Sequence, residues 1–153
     1  MRTVLLLLLF AAAVEADDLF GSWKAIPARS IAPYPGTLVV RIEPHPRGEV
    51  FTLDSVDGGG RATTISTVLY FDGQPREFQD AGCSGSQSSR RLDKSIVEVL
   101  RTCASGEWTR FILRRRAKTN ELVLEITEHR DNRHVERRLA LEKKSEAPTS
   151  RRR

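Results

Sequence analysis

Apolar and polar residues alternate along most of the chain. Leu38, Val40 and Ile42 share one parity, while Thr37 and Arg41 share the other. The same alternation recurs in the segments 62–72, 95–103, 108–116, 121–129 and 134–143. A period of two puts every apolar side chain of a strand on one face. The pattern therefore predicts a protein built from half-buried β-strands.

Short segments rich in Gly, Pro, Asn and Asp separate these runs, and such residues favour tight turns. They lie at 43–49, 56–62, 71–77, 103–107, 118–122 and 129–134. The sequence thus predicts an all-β, antiparallel up-and-down meander of eight to nine strands. A meander of that length closes into a barrel or splits into two packed sheets, because an open sheet exposes its edges. We interpret the Gly- and Ser-rich segment 82–89 as a flexible hairpin or loop.

The first residues have the pattern of a secretory signal peptide. Arg2 precedes an apolar stretch from Val4 to Ala13, and Val14-Glu15-Ala16 fits a cleavage site before Asp17. We therefore expect a signal peptide over residues 1–16 and an exported protein that is periplasmic or extracellular. No later segment is apolar enough to span a membrane.

Charge divides the remaining chain into a domain and a tail. The full sequence contains 25 Lys and Arg against 20 Asp and Glu, a formal net charge of +5, and much of the excess lies near the C-terminus. We expect one barrel domain over residues 17–144 and a disordered basic tail over 145–153. The tail lacks an aromatic residue that would stack on bases, so nucleic acid is not an expected partner. We expect a monomer.

The two cysteines, Cys83 and Cys103, both lie in the part of the chain expected to be exported. An even number of cysteines in an oxidising compartment favours a disulfide. A metal or redox role has no support from the spacing, because the chain has no C-x-x-C motif.

A G-x-W motif precedes the meander, with Gly21 and Trp23 on the same face of an expected first strand. A glycine beside the indole leaves room for the ring to lie across the closed end of a small barrel. The motif resembles that of the calycin superfamily, which contains the lipocalins and the fatty-acid-binding proteins. The resemblance implies that an Arg of the last strand, Arg137 or Arg138, packs over Trp23.

The layout is most similar to that of small exported bacterial lipocalin-like proteins. The segments "GSWKAIPARS", "LVVRIEP" and "YFDG" fit it, and the resemblance extends over residues 19–143. The T-D-Y motif of lipocalins is absent, and the proline-rich segment after the first strand is too short for the two helices of fatty-acid-binding proteins. The resemblance implies a lipocalin-like barrel of undefined biochemical function.

The sequence contains no catalytic signature. It lacks a G-x-S-x-G elbow and a phosphate-binding loop, so we predict no enzyme activity and no cofactor. His129, Asp131 and His134 cluster at one turn, but Arg130 and Arg133 beside them would repel a cation. We therefore predict no metal site.

Arginines suggest a ligand site. By the parity of Trp108 and Ile112, Arg110 and Arg114 would point into the barrel, where a guanidinium can hold a carboxylate or phosphate. Trp23, Arg110 and Arg114 are thus candidate ligand-binding residues. The alternative is that these arginines belong to charge pairs on the outer surface.

Two functions follow from these observations. The first is a non-catalytic binding module for a small apolar or amphipathic ligand, hydrophobic or anionic in character. The second is a filled barrel that acts as a structural or interaction protein of the cell envelope through its surface and basic tail. The inward-facing residues are mostly bulky, which favours a filled or nearly filled interior.

Overall fold

The computed structural model describes residues 19–80 and 82–145, so the expected signal peptide and all but the first residue of the tail lie outside the described residues. The described residues form ten strands: β1 (Gly21–Ala25), β2 (Gly36–His45), β3 (Gly48–Asp57), β4 (Ala62–Leu69), β5 (Arg76–Asp80), β6 (Cys83–Asp93), β7 (Ile96–Cys103), β8 (Trp108–Arg116), β9 (Glu121–Arg130) and β10 (Arg133–Lys143).

All ten strands belong to one antiparallel sheet in the order β4-β3-β2-β1-β10-β9-β8-β7-β6-β5. Strand β1 pairs with both β2 and β10, so the first and last strands are neighbours and the sheet curls into a nearly closed barrel. The prediction of an all-β antiparallel barrel is confirmed. The prediction of eight to nine strands is wrong, since the described residues contain ten.

The difference in strand number arises at β5 and β6, whose sequences do not alternate between apolar and polar residues. Strand β5 has only five residues, and Phe78 is its one apolar side chain. Strand β6 directs Gln87 and Ser89 into the barrel, where both are buried although polar. The segment 82–89, interpreted as a flexible hairpin or loop, belongs mostly to the regular strand β6, which forms a hairpin with β5. Hydrogen bonds to both neighbouring strands hold it without an apolar face.

The two edge strands, β4 and β5, lie at opposite ends of the sheet order. Side chains and a short bridge connect the β4 side of the barrel to β6. Gln87 Nε2 donates to Thr67 Oγ1 at 2.8 Å, and Arg91 Nη2 donates to Glu49 Oε1 at 2.6 Å. The segment after β4 also joins β6, since the backbone N–H of Phe71 donates to Ser89 Oγ at 3.1 Å. We call this set of contacts the seam.

The barrel has two distinct ends. The tryptophan end is where β1 begins at Gly21 and β10 ends at Lys143. The cavity end carries the turns at 58–61, 104–107 and 131–132, together with Gly82, which precedes β6. The interior between them is one apolar core, whose fully buried members include Trp23, Phe51, Leu38, Ile42, Leu69, Leu113, Leu122, Leu124, Leu139, Leu141, Val40 and Val97.

Trp23 has no exposed surface, and its indole Nε1 donates to the backbone oxygen of Leu19 at 2.9 Å. The Nζ atom of Lys143 lies 5.5 Å from the indole centroid, and the Cζ atom of Arg115 lies 6.0 Å from it. A Cβ atom on Gly21 would come within 2.9 Å of Lys143 Cε, and Gly21 has a φ of +113°. The glycine therefore makes room for the lysine that crosses the indole.

The expectation that Arg137 or Arg138 packs over Trp23 is corrected by these contacts. Arg137 Nη1 donates to the backbone oxygens of Ala32 and Pro33, towards the cavity end. The backbone of Arg138 forms a bridge to Ile31. Its side chain faces outward, because Arg138 alternates along β10 with the inward-facing core residues Leu139 and Leu141. The cations over the indole come instead from β8 and from the last residue of β10.

The disulfide between Cys83 and Cys103 is confirmed, with Cα atoms 5.5 Å apart. It joins the first residue of β6 to the last residue of β7 at the cavity end. Within the described residues, no helix is long and apolar enough to cross a membrane.

We expect Trp23→Ala to lower the free energy of unfolding by about 3–5 kcal/mol, because it deletes the largest buried side chain of the core. Urea unfolding followed by circular dichroism measures this loss. Trp108→Ala is the matched control, because Trp108 is only half-buried; we expect it to cost about 1 kcal/mol or less. Equal costs for the two variants would contradict the role given to Trp23.

Replacing both cysteines, Cys83→Ser together with Cys103→Ser, should lower the free energy of unfolding by about 3 kcal/mol, because the bridge closes a loop with a sequence separation of 20. The same urea experiment, run on oxidised protein, gives the difference. Thiol titration of the denatured, unreduced wild type should find no free thiol. Two titratable thiols would show that the bridge does not form.

Candidate functional site

A cavity of about 420 Å³ opens at the cavity end of the barrel. Its lining combines apolar side chains with a ring of charged ones, contributed by all strands from β2 to β10 and by the segments between them. The lining residues are Tyr34, Leu38, Leu53, Ser55, Asp57, Arg61, Thr63, Thr64, Ile65, Asp80, Cys83, Arg101, Cys103, Thr109, Phe111, Ile126, Glu128, Arg130 and Arg137.

The lower part of this cavity is apolar. Leu38, Leu53, Phe111 and Ile126 line it and are all buried members of the core. Ile65 of β4, which pairs with Leu53, is half-buried and packs against them. An apolar floor below a polar rim suits a ligand with an apolar body and a polar group.

Arg101 is the one buried arginine of the described residues, with an exposed fraction of 6%. Its position on β7 follows from parity, since Val97 and Val99 precede it on the inner face. Arg101 Nη2 forms an ion pair with Asp80, and its Cζ lies 4.0 Å from the ring centroid of Phe78. A carboxylate of the protein therefore already neutralises this guanidinium.

Arg137 occupies the equivalent inner position on β10, where it pairs with the core residue Ile126 of β9. Its Nη1 donates to the backbone oxygens of Ala32 at 3.2 Å and Pro33 at 2.9 Å. Among the described residues, no carboxylate lies within ion-pair distance of it. Arg137 thus brings to the cavity a positive charge that no carboxylate of the described chain neutralises.

Two other charged residues at the rim, Asp57 and Arg130, have structural partners. Asp57 Oδ1 accepts hydrogen bonds from the backbone N–H groups of Gly59 and Arg61, both at 2.9 Å, and so orders the β3–β4 turn. Arg130 pairs with Glu107 at 3.7 Å. The rim therefore mixes both signs of charge.

The expectation that Arg110 and Arg114 point into the barrel is corrected, because the inner face of β8 is that of Phe111 and Leu113. Arg110 Nε donates to Glu98 Oε1 at 2.7 Å on the outer surface, and Arg114 Nε lies 3.5 Å from Glu125 Oε2. Ile112, which set the assumed parity, is buried yet lies outside the core cluster.

Glu98 forms ion pairs with both Arg90 and Arg110 on the outer surface. Burial raises the pKa of Glu98, but the hydrogen bonds from Arg90 and Arg110 together outweigh burial and hold the pKa below its usual value. The carboxylate therefore stays ionised at neutral pH and keeps Arg110 on the outer wall.

Trp23 is absent from the cavity lining and lies in the filled tryptophan end. Sequence reasoning missed Arg101 and assigned Arg137 another role. The signal was available in the same alternation, since Arg101 continues the parity of Val97 and Val99, and Arg137 that of Leu139 and Leu141.

His129 and His134 lie on the outer surface near the cavity end. The ring of His129 stacks on Trp108 with centroids 6.0 Å apart, and His134 Nε2 lies 3.0 Å from Glu136 Oε1. In the described part of the chain, no group of three or more His, Cys, Asp or Glu side chains is arranged to hold a metal ion.

No protein-family model matches the chain, and no curated protein matches it. Solved structures do match. A Schistosoma mansoni fatty acid binding protein in complex with arachidonic acid has a TM-score of 0.60 at 10% identity, over 85% of this chain and 98% of that one. An abundant heat soluble (SAHS) protein from Ramazzottius varieornatus has a TM-score of 0.62 at 9% identity, over 82% and 95%.

A zebrafish ileal bile acid-binding protein complexed with cholic acid is also similar, with a TM-score of 0.52 at 10% identity over 82% of this chain and 98% of that one. Identities this low show a shared fold and nothing finer. The chain has the nearly closed, antiparallel β-barrel fold of these similar structures.

Proposed function

We propose that the protein is an exported, non-catalytic binding module that holds a small amphipathic ligand with an anionic head group in the cavity. The observation that carries the proposal is Arg137, a guanidinium at the rim of an apolar-floored cavity without a carboxylate partner in the described chain. A carboxylate or phosphate oxygen is the group that such a fork binds most strongly.

Further support comes from the similar structures. Two of them are described in complex with acids, arachidonic acid and cholic acid. In the proposed complex, Arg137 binds the head group, Arg101 with its partner Asp80 shapes the wall beside it, and the apolar tail packs on Leu38, Leu53 and Phe111. The function needs no metal, cofactor or catalytic group.

Export is the second part of the proposal. The N-terminal residues have the pattern of a signal peptide, and a disulfide is stable in an oxidising compartment. The alternative function, a barrel without an interior ligand that acts through its surface and tail, is disfavoured by the cavity of about 420 Å³.

The proposal predicts that Arg137→Gln weakens the binding of decanoate by about tenfold or more, because a charge-assisted hydrogen bond is lost. Isothermal titration of decanoate and of decanol into the purified protein measures the effect. Decanol carries no charge, so its affinity should change little; a parallel loss of decanol binding would mean that the cavity itself had been damaged.

Arg110→Gln is the matched control, because it removes the same charge from the outer wall. We expect it to leave the decanoate affinity within about twofold of the wild type, a difference near the size of thermal energy. The proposed head-group site is wrong if Arg110→Gln weakens decanoate binding as much as Arg137→Gln does. Failure of the wild type to bind any amphipathic acid would favour the filled-barrel alternative.

A further inference from the structure

Two aromatic rings meet across the middle of the barrel. Strand β3 and strand β8 lie five places apart in the order of ten strands, so they form opposite walls. Phe51 of β3 and Phe111 of β8 nevertheless contact each other, with ring centroids 5.9 Å apart and ring planes at 50°. Both residues are buried. The pair therefore spans the interior from wall to wall.

The interior differs on the two sides of this pair. On the side of the cavity end, Phe111 lines the cavity together with Leu38 and Ile126. On the other side, β8 continues to Leu113, which pairs with Val97 and Leu124 in a layer with almost no exposed surface. Phe51 packs against Phe111 but does not line the cavity. The cavity therefore ends at Phe111, and Phe51 and other packed side chains fill the barrel beyond it.

We infer that Phe111, supported from behind by Phe51, is the specificity-determining floor of the ligand site and limits the length of the ligand's apolar tail. The inference rests on the proposed function, in which the head group binds at Arg137 on the rim. The tail then points down the barrel and reaches Phe111. The site accepts short or compact amphipathic acids with full burial, and the far end of a longer straight chain stays outside the core.

The energetic reason is the close packing below the floor. A longer chain would need to displace Phe111 into the layer of Leu113 and Leu124, whose side chains already fill that space. Inserting methylenes into a packed core strains side chains and backbone. Each methylene above the floor is buried and increases the binding affinity, whereas each methylene beyond the limiting length leaves the affinity unchanged.

The test is a titration of straight-chain carboxylates from hexanoate to hexadecanoate into the oxidised protein. For the wild type, affinity should rise about fourfold per added methylene, the value for burying one such group, and then stop rising at a limiting length. In Phe111→Ala the limiting length should increase by several carbons, because the space of the ring becomes continuous with the cavity.

Two milder variants keep the test valid if Phe111→Ala does not fold. Phe111→Leu and Phe51→Leu retain most of the core volume and should move the limiting length by a smaller amount in the same direction. Phe71→Leu is the matched control, because Phe71 is an aromatic side chain packed against the core that lies beside Arg91 and belongs neither to the ring pair nor to the cavity lining. It should leave the limiting length unchanged.

The possible failures can be distinguished. If the wild type binds carboxylates but every folded floor variant keeps the wild-type limit, the floor is overturned and the proposed function stands. The floor is also overturned if Phe71→Leu shifts the limit as far as Phe51→Leu does, since general loosening of the core would then explain both. If no carboxylate of any length binds the wild type, the proposed function fails, and the inference fails with it.

Discussion

Closure of a ten-strand sheet on itself is the constraint on which the rest of this structure depends. The backbone closes nine junctions with strand ladders, and the last is closed by the seam between the β4 side and β6. At the seam, the Gln87–Thr67 and Arg91–Glu49 contacts replace a continuous ladder. Because polar side chains make these contacts, the inner face of β6 is polar, and the apolar interior lies against the other walls. Because its inner face is polar, β6 lacks the apolar alternation by which the other long strands are predicted from the sequence.

Much of the fold follows from residue patterns that are local in the sequence. Alternation located most of the long strands, and turn residues marked most of the connections between them; at the β9–β10 turn, for example, Asp131 and Asn132 both adopt positive φ. The compartment argument also led to the disulfide, because two cysteines allow only one pairing. What alternation cannot supply is a strand held mainly by its neighbours. Strand β5 and the polar part of β6 exist because the adjacent strands offer hydrogen-bond partners, and that information lies elsewhere in the chain.

The candidate site was harder to predict than the fold, for a physical reason visible on β8. Phe111, Ile112 and Leu113 are consecutive and all buried, so the sequence alone does not reveal which parity faces inward. Choosing Ile112 placed Arg110 and Arg114 inside, whereas the structure pairs them with Glu98 and Glu125 outside. On β7 the parity is clearer, because the apolar residues Val97 and Val99 identify the inner face and Arg101 continues it. Glu98 is also buried, but on the outer wall. A buried position on the outer wall, under long charged side chains, is what breaks the parity argument.

The ring pair that divides the interior also separates two tasks that many binding proteins combine in the same residues. Side chains between the rings and the tryptophan end carry the bulk of the packed core, and the rim at the other end consists of turns and strand termini with mixed charge. Under the proposed function, stability and recognition are therefore distributed along the barrel axis. Over evolutionary time, such an arrangement lets the rim change its charges, and with them the preferred ligand of the proposed site, while the core that keeps the protein folded remains the same.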